Sequence, residues 1–321
     1  KLVEYQSGSY LKFEANENYY KGEPSVKNIV FQIIENADTA ILALQNGEVD
    51  AYQMTPQQVK KLDLDASNLT AYSYTEGRVG YLQINCNRVT DENVRKALLF
   101  AMDRKAMDDA AFESDKYYSI PYTFLPTNSQ FYTEDGVEKY EQDVDKAKSM
   151  LEEAGVSGLK LKLGYISSDA VQSAQALLIQ EQLKEVGVTV ELAGGDGTAI
   201  ANAMKDPDNE YDMYLGGYIM GIDPDTFSSL FENDGAYNYM HYSGYDTINQ
   251  LFEEGRSELD ESARKETYAK LQAAVQDTGA FYPIISNNKI LVVNNRIQGV
   301  EDAGLVPVYT FEDTSSLKIA E

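Results

Sequence analysis

Residues 159–192 constrain the fold more than any other stretch of this chain. Leu159, Leu161 and Leu163 alternate with Lys160 and Lys162, the period of a half-buried strand. A helical run follows, with Ala170, Ala174, Leu177, Leu178 and Val186 as its apolar positions and Gly187 as its stop. Val188, Val190 and Leu192 then alternate again. Strand, helix and strand at this length make a βαβ crossover, which joins parallel strands.

The same grammar runs through the rest of the chain. Leu11, Phe13 and Ala15 share one side of an opening strand, and 28–34 reads as a buried strand. A helix is expected over 38–45 with Asn46-Gly47 as its stop, and Thr55-Pro56 reads as an N-cap followed by proline at the first helical position. Residues 80–85 form a further strand, and Thr90 or Asp91 caps the helix after it. Asp143 opens another helix, ended by Gly155. A strand over 212–219, helices over 247–258 and 260–277 and a long apolar strand over 282–294 complete the pattern. The chain opens at Lys1 in what reads as mid-strand, so a leader and more of the protein are expected before it. Alternation of this kind implies open α/β sheets flanked by helices. Such sheets bind ligands at the carboxyl ends of their strands.

Residue inventory removes several chemistries. The 321 residues carry a net charge of −25, which repels nucleic acid and anionic membrane. Cys86 is the single cysteine, so no internal disulfide forms, and in or just after a strand it reads as a packing thiol. His241 is the single histidine and lies in an aromatic loop, a poor setting for a Ser-His-Asp or Cys-His arrangement. No metal site rich in histidine or cysteine can be built, and no metal or cofactor is expected. Asp206, Asp208, Glu210 and Asp212 alternate as in a calcium loop. Tyr211 and Gly217, however, stand where that loop needs its glycine and its closing glutamate. Gly194, Gly195 and Gly197 miss the dinucleotide-binding spacing. Composition does not decide on two-carboxylate chemistry. No apolar run approaches the roughly 18 residues of a membrane span. The 24 tyrosines suit either a binding surface or packing at sheet edges.

Motifs then add a resemblance. Asn18-Tyr19-Tyr20 with Gly22 and Pro24 matches an N-x-Y-Y-x-G-x-P turn, and Leu44 to Asp50 matches A-L-x-x-G-x-x-D. Tyr81-Leu82-Gln83-Ile84-Asn85, Val94-Arg95-Lys96-Ala97-Leu98 and Ala101-Met102-Asp103-Arg104 match a Y-L-x-x-N … V-R-x-A-L … A-x-D-R block. Asp145-Lys146-Ala147-Lys148 through Ala154-Gly155 and Asp223-Pro224-Asp225 with Phe227 follow in order. Together, over nearly the whole chain, these resemble the family 5 extracellular solute-binding proteins, the dipeptide, oligopeptide and nickel receptors of ABC importers. The resemblance implies an α/β, two-lobed periplasmic-binding-protein-like fold of class II type, here one complete lobe plus part of the other. Residues 1–75 and 292–321 would belong to lobe I, whose N-terminal part precedes this chain, and 76–291 would form lobe II.

The function so implied is extracytoplasmic capture of peptides between two lobes by hinge closure, followed by delivery to the permease and ATPase subunits. It implies a monomer with no catalytic residues and no nucleic acid partner, held in the periplasm or on the cell surface as a lipoprotein. Ser168, Gly217, Tyr218, Ile219, Met220 and Asp223 are the ligand-binding candidates on this reading. Asp225 is expected to cap a helix starting near Thr226. Two departures bear on specificity. Where dipeptide receptors carry an aspartate for the ligand's amine, this chain has Met220-Gly221-Ile222, and where they carry an arginine for its carboxylate it has Ile166-Ser167-Ser168-Asp169. A buried charge needs a partner, so the departures favour a longer peptide or a neutral oligomer such as an oligosaccharide over a dipeptide. A surface sensor of the same fold and a secreted glycoside hydrolase are the rival readings.

Overall fold

The computed structural model describes residues 1–112, 114–219, 223–307 and 309–320, with only the backbone at 245. In chain order the main elements begin with β1 (Leu2–Gln6), β2 (Tyr10–Glu14), β3 (Asn28–Gln32), α1 (Ala37–Gln45), β4 (Ala51–Met54), α2 (Pro56–Lys60) and β5 (Leu69–Thr75). They continue with β6 (Arg78–Ile84), α3 (Glu92–Phe100), α4 (Arg104–Phe112), β7 (Tyr118–Ser119), α5 (Val144–Glu153), β8 (Lys160–Ile166), α6 (Ala170–Glu185), β9 (Thr189–Gly195), α7 (Gly197–Met204) and β10 (Met213–Ile219). The last are α8 (Ser228–Phe231), α9 (Tyr245–Ser257), α10 (Glu261–Asp277) and β11 (Phe281–Asn294). The chain divides into two compact units, one of Lys1–Glu76 with Asn288–Glu321 and the other of Gly77–Asn287. Among the described residues no helix is long and apolar enough to cross a membrane.

In the first unit β1, β2 and β3 form an antiparallel sheet. The expectation of a buried strand over 28–34 is corrected here: β3 lies at that sheet's edge, with Val30 and Phe31 more than half exposed. An apolar strand with a neighbour on one side only leaves much of its surface uncovered. Strands β4 and β5 both pair antiparallel with the later half of β11. Tyr74, Leu291, Val293, Val300 and Leu317 belong to one core cluster of this unit. The Thr55 turn carries a full capping box, in which Gln58 N donates to Thr55 Oγ1 and Thr55 N to Gln58 Oε1.

The second unit is built on a mixed sheet in the order β11-β6-β10-β8-β9. The crossover β8–α6–β9 is parallel, as its sequence requires, and β10 joins β8 in parallel. Strand β6 runs antiparallel between β10 and β11. Alternate residues serve different cores. Leu82, Ile84, Leu215 and Tyr282 belong to a cluster that also contains residues of α3, α4 and α6. Tyr81 and Phe281, one position along, belong to an aromatic cluster with Phe124, Phe227, Phe231, Phe252 and Tyr268.

Helix α6 carries buried glutamines, two of which serve neighbouring backbone. Gln172 Oε1 accepts from Ile166 N (2.8 Å), fixing the end of β8, and Gln182 Oε1 accepts from Asp103 N (3.0 Å).

Candidate functional site

The carboxyl ends of β8, β9 and β10, the start of β6 and the 285–287 segment of β11 lie at one end of the second unit's sheet, by the register of the strands. This is where an open α/β sheet presents its loops to a ligand. Strand β8 ends at Ile166 and runs through exposed Ser167 and Ser168 into Asp169, which caps α6 by accepting from Val171 N and Gln172 N. Strand β9 ends at Gly195, and Asp196 caps α7 by accepting from Ala199 N. Both carboxylates are committed to helix starts.

On β10, Gly217 and Ile219 are exposed, while Tyr218 is half-buried. Tyr218 faces the aromatic cluster. Its ring lies 5.2 Å from Phe227 and 6.0 Å from Tyr237, and its hydroxyl shares a 2.8 Å hydrogen bond with Ser229 Oγ. The glycine pair makes room for neighbouring side chains. A Cβ on Gly216 would stand 2.6 Å from the Tyr81 ring, and one on Gly217 would collide with the Arg78 guanidinium. Ser168 lies at the same sheet end but on β8's loop, and Met220 lies outside the described residues.

Asp223 is the helix cap. Its Oδ1 accepts from Asp225 N (2.9 Å), and Pro224 fills the first helical position of the short 3-10 turn Pro224–Phe227. That corrects the expectation for Asp225, whose carboxylate instead accepts from Arg256 Nε (3.0 Å). The proline starts the turn early enough that the preceding aspartate, not the following one, meets its free N–H groups. Arg264 Nη2 donates to both Asp223 oxygens, at 2.7 and 2.5 Å. Partial burial pushes the Asp223 carboxyl up, but the Arg264 guanidinium and the Asp225 N–H outweigh it and hold the carboxyl below its ordinary range. Asp223→Ala should therefore lower stability by about 1 kcal/mol through the lost cap. Asp225→Ala, which removes a partly exposed ion pair, should cost less than about 1 kcal/mol. Urea titrations of the two variants check the order.

Residues with reactive potential elsewhere are engaged. Burial pushes the Cys86 thiol up to about 11, which keeps it protonated and unreactive at neutral pH. His241 Nε2 donates to Met204 O at 2.9 Å. Among the described residues no group of three or more His, Cys, Asp or Glu could hold a metal ion. The first unit contains an open cavity of about 710 Å³ between β3, β4, β11 and the C-terminal segment, with Ile29, Phe31, Leu291 and Val293 among its walls. Asp50 on its rim is paired with Arg296.

The motif order can now be set beside known proteins. Residues 1–239 match the family model described as bacterial extracellular solute-binding proteins, family 5, middle region. The chain belongs to this family. Among curated family members, the oligopeptide-binding protein AppA of Bacillus subtilis is 26% identical over 320 residues, covering 92% of this chain and 57% of AppA. The dipeptide-binding protein of Escherichia coli is 24% identical, covering 93% of this chain and 57% of the relative. The crystal structure of the ABC transporter substrate-binding protein CtaP of Listeria monocytogenes superposes with a TM-score of 0.94 at 37% identity, over 100% of this chain and 66% of CtaP. That of the protein AppA from Clostridium difficile gives 0.91 at 31%, over 99% and 66%. The chain thus spans less than two thirds of the length of these family members.

Sequence reasoning missed one residue of this sheet end. Arg78 is the first residue of β6, paired with Ile219, and is half-buried. The only sequence signal was a basic residue two positions before a strand glycine.

Proposed function

We propose that the full-length protein is the extracytoplasmic receptor of an ABC importer and that it captures peptides longer than two residues. It acts without catalysis, as a monomer, in the periplasm or as a surface lipoprotein, and hands its ligand to the permease and ATPase subunits. The family, and the peptide-binding names borne by its members, support the substrate class. The single observation behind the length preference is that Asp223 is spent. It caps a turn and is clamped by Arg264, so it is not available for a ligand's amino group. Of the candidates Ser168, Gly217, Tyr218, Ile219, Met220 and Asp223, the first five remain proposed for ligand binding and Asp223 for positioning. Among these, the exposed Ser168, Gly217 and Ile219 offer backbone and surface to an extended peptide, while Tyr218 packs on Phe227 and Asp223 caps the turn Pro224–Phe227.

We assign the unit of Lys1–Glu76 with Asn288–Glu321 to lobe I and the unit of Gly77–Asn287 to lobe II, so the second crossing falls four residues earlier than the expected 291–292, because 288–294 of β11 pair with β5. The chain passes between its two compact units at 76–77 and at 287–288, and these crossings would absorb ligand-driven closure.

Calorimetry on the full-length protein tests the substrate class. Hexapeptides should bind at least about tenfold more tightly than dipeptides, one charge-assisted contact being worth that much. Tight dipeptide binding that is lost on acetylating the amine would overturn the length preference. Binding of neutral oligosaccharides with no binding of any peptide would overturn the substrate class.

A further inference from the structure

We propose that Arg78 is a specificity-determining residue that receives a carboxylate of the bound peptide, an inference that rests on the peptide-binding reading above. The guanidinium lies across Gly80 and Gly217, two glycines paired opposite each other on β6 and β10. A Cβ on Gly217 would collide with it, and one on Gly80 would stand 3.5 Å from Nη1. The two glycines form a shallow trough that holds the group flat at the ligand end of the sheet. Any larger residue at Gly217 would displace it.

Among the described residues the charge held there has no countercharge. Among the described residues the guanidinium's single hydrogen bond is Nη1 to Asn287 Oδ1, at 3.5 Å and to a neutral amide, and no carboxylate lies within ion-pair distance of it. Acids close to this sheet end have other work. Asp169 and Asp196 cap helices, Asp223 is clamped by Arg264, and Asp225 faces Arg256. A half-buried guanidinium keeps most of its five N–H donors, and such a charge is ordinarily paired. The planar fork matches a carboxylate, which it can hold with two parallel bonds. The ligand's amine lacks a partner here while its carboxylate has one, so recognition is one-ended.

The carboxylate has two possible sources in a peptide, its C-terminus or an Asp or Glu side chain, and the test separates them. Full-length protein and the Arg78→Gln variant are offered four random hexapeptide libraries, C-terminally free or amidated, each made with and without Asp and Glu. Retained peptides are quantified by mass spectrometry, and melting temperatures are recorded alongside. Wild type should favour carboxylate-bearing peptides by about 10- to 100-fold, the range of a hydrogen bond to a charged group. Arg78→Gln should abolish that preference while retaining amidated, acid-free peptides as before. Preference for free C-termini in the acid-free libraries identifies the terminal carboxylate. Preference surviving amidation only when Asp and Glu are present identifies a side chain. The proposal is overturned if wild type shows no preference, or if Arg78→Gln keeps it. It is also overturned if the variant loses all peptides equally together with thermal stability, the mark of a purely structural arginine. Wild type retaining nothing from any library would overturn the peptide-binding reading and this inference with it.

Discussion

Between pH 4 and pH 7 the Asp108→Asn variant should gain about 4 kcal/mol of stability relative to the parent. Asp108 lies on α4, fully buried. Among the described residues its Oδ1 has only a 3.5 Å contact from Gln175 Nε2, and its Oδ2 has no hydrogen-bond partner. Arg104, one turn earlier on the same helix, does not neutralise it. That guanidinium is turned to the carbonyls of Pro283 and Tyr140 and stacked 3.8 Å from the Tyr282 ring. Burial therefore dominates, and it pushes the Asp108 carboxyl up to about 8.

The sign follows from proton counting. Below pH 4 folded and unfolded chains both carry the proton, so no difference arises. From there to about pH 8 the unfolded chain has released it and the folded chain has not. Stability then falls by about 1.4 kcal/mol per pH unit, and flattens above the folded value. Asparagine keeps the size and the acceptor but cannot ionise. Its unpaired N–H adds a constant cost, so the observable is the change in the variant-minus-parent difference with pH. Other carboxylates, such as Asp313 held at about 2 by Lys21 and Ser315, titrate equally in both proteins and cancel. In thermal melts the gap should move by about 10 °C over that range. Parallel pH profiles for the two proteins would show that Asp108 is ionised in the folded state.

What the sequence revealed and what it hid divide along the range of the forces involved. The crossover β8–α6–β9 was legible because each element carries its own period. Lys160 and Lys162 mark one side of β8, Asp169 and Gly187 bracket α6, and parallel pairing follows from the connection alone. The capping box at Thr55 was equally local. Antiparallel insertion of β6 between β10 and β11 was not legible, since it joins residues about 80, 215 and 283 that no local rule relates. The same holds at the candidate site. Gly217 was singled out for close backbone approach, yet the space it leaves is filled by Arg78 from a strand 139 positions away in sequence, a pairing set by sheet register. Tyr218 was recognised as a candidate, but which face of β10 it occupies depends on the aromatic cluster beneath it. The cap falls on Asp223 rather than the expected Asp225 because Pro224 starts the turn one residue after Asp223, which leaves Asp225 to pair with Arg256.

That aromatic cluster is where a single truncation should do most damage. Phe124→Ala should lower the unfolding free energy of the chain by about 3–5 kcal/mol. Phe124 is fully buried on a segment outside any helix or strand, with ring centroids 5.3 Å from Phe227, 5.0 Å from Phe231 and 6.4 Å from Phe252. Its segment is pinned next door, where Thr123 Oγ1 donates to the buried Gln272 Oε1 at 2.8 Å. Removing the ring leaves a void walled by three aromatics that are themselves held by helices, so the walls cannot collapse into it and the cavity term adds to the lost burial. Leu177→Ala, at a side chain 56% exposed, should stay within about 0.5 kcal/mol and serves as the control. Urea titration of both variants reads the difference, and a Phe124→Ala loss below about 1 kcal/mol would show that the cluster relaxes around the gap. Phe227 is the link to the site, since it contacts Phe124 on one side and Tyr218 on the other. The core behind β10 and Tyr218 are one packed unit, so on the proposed peptide-binding reading the variant should also weaken hexapeptide binding by the full-length protein in calorimetry.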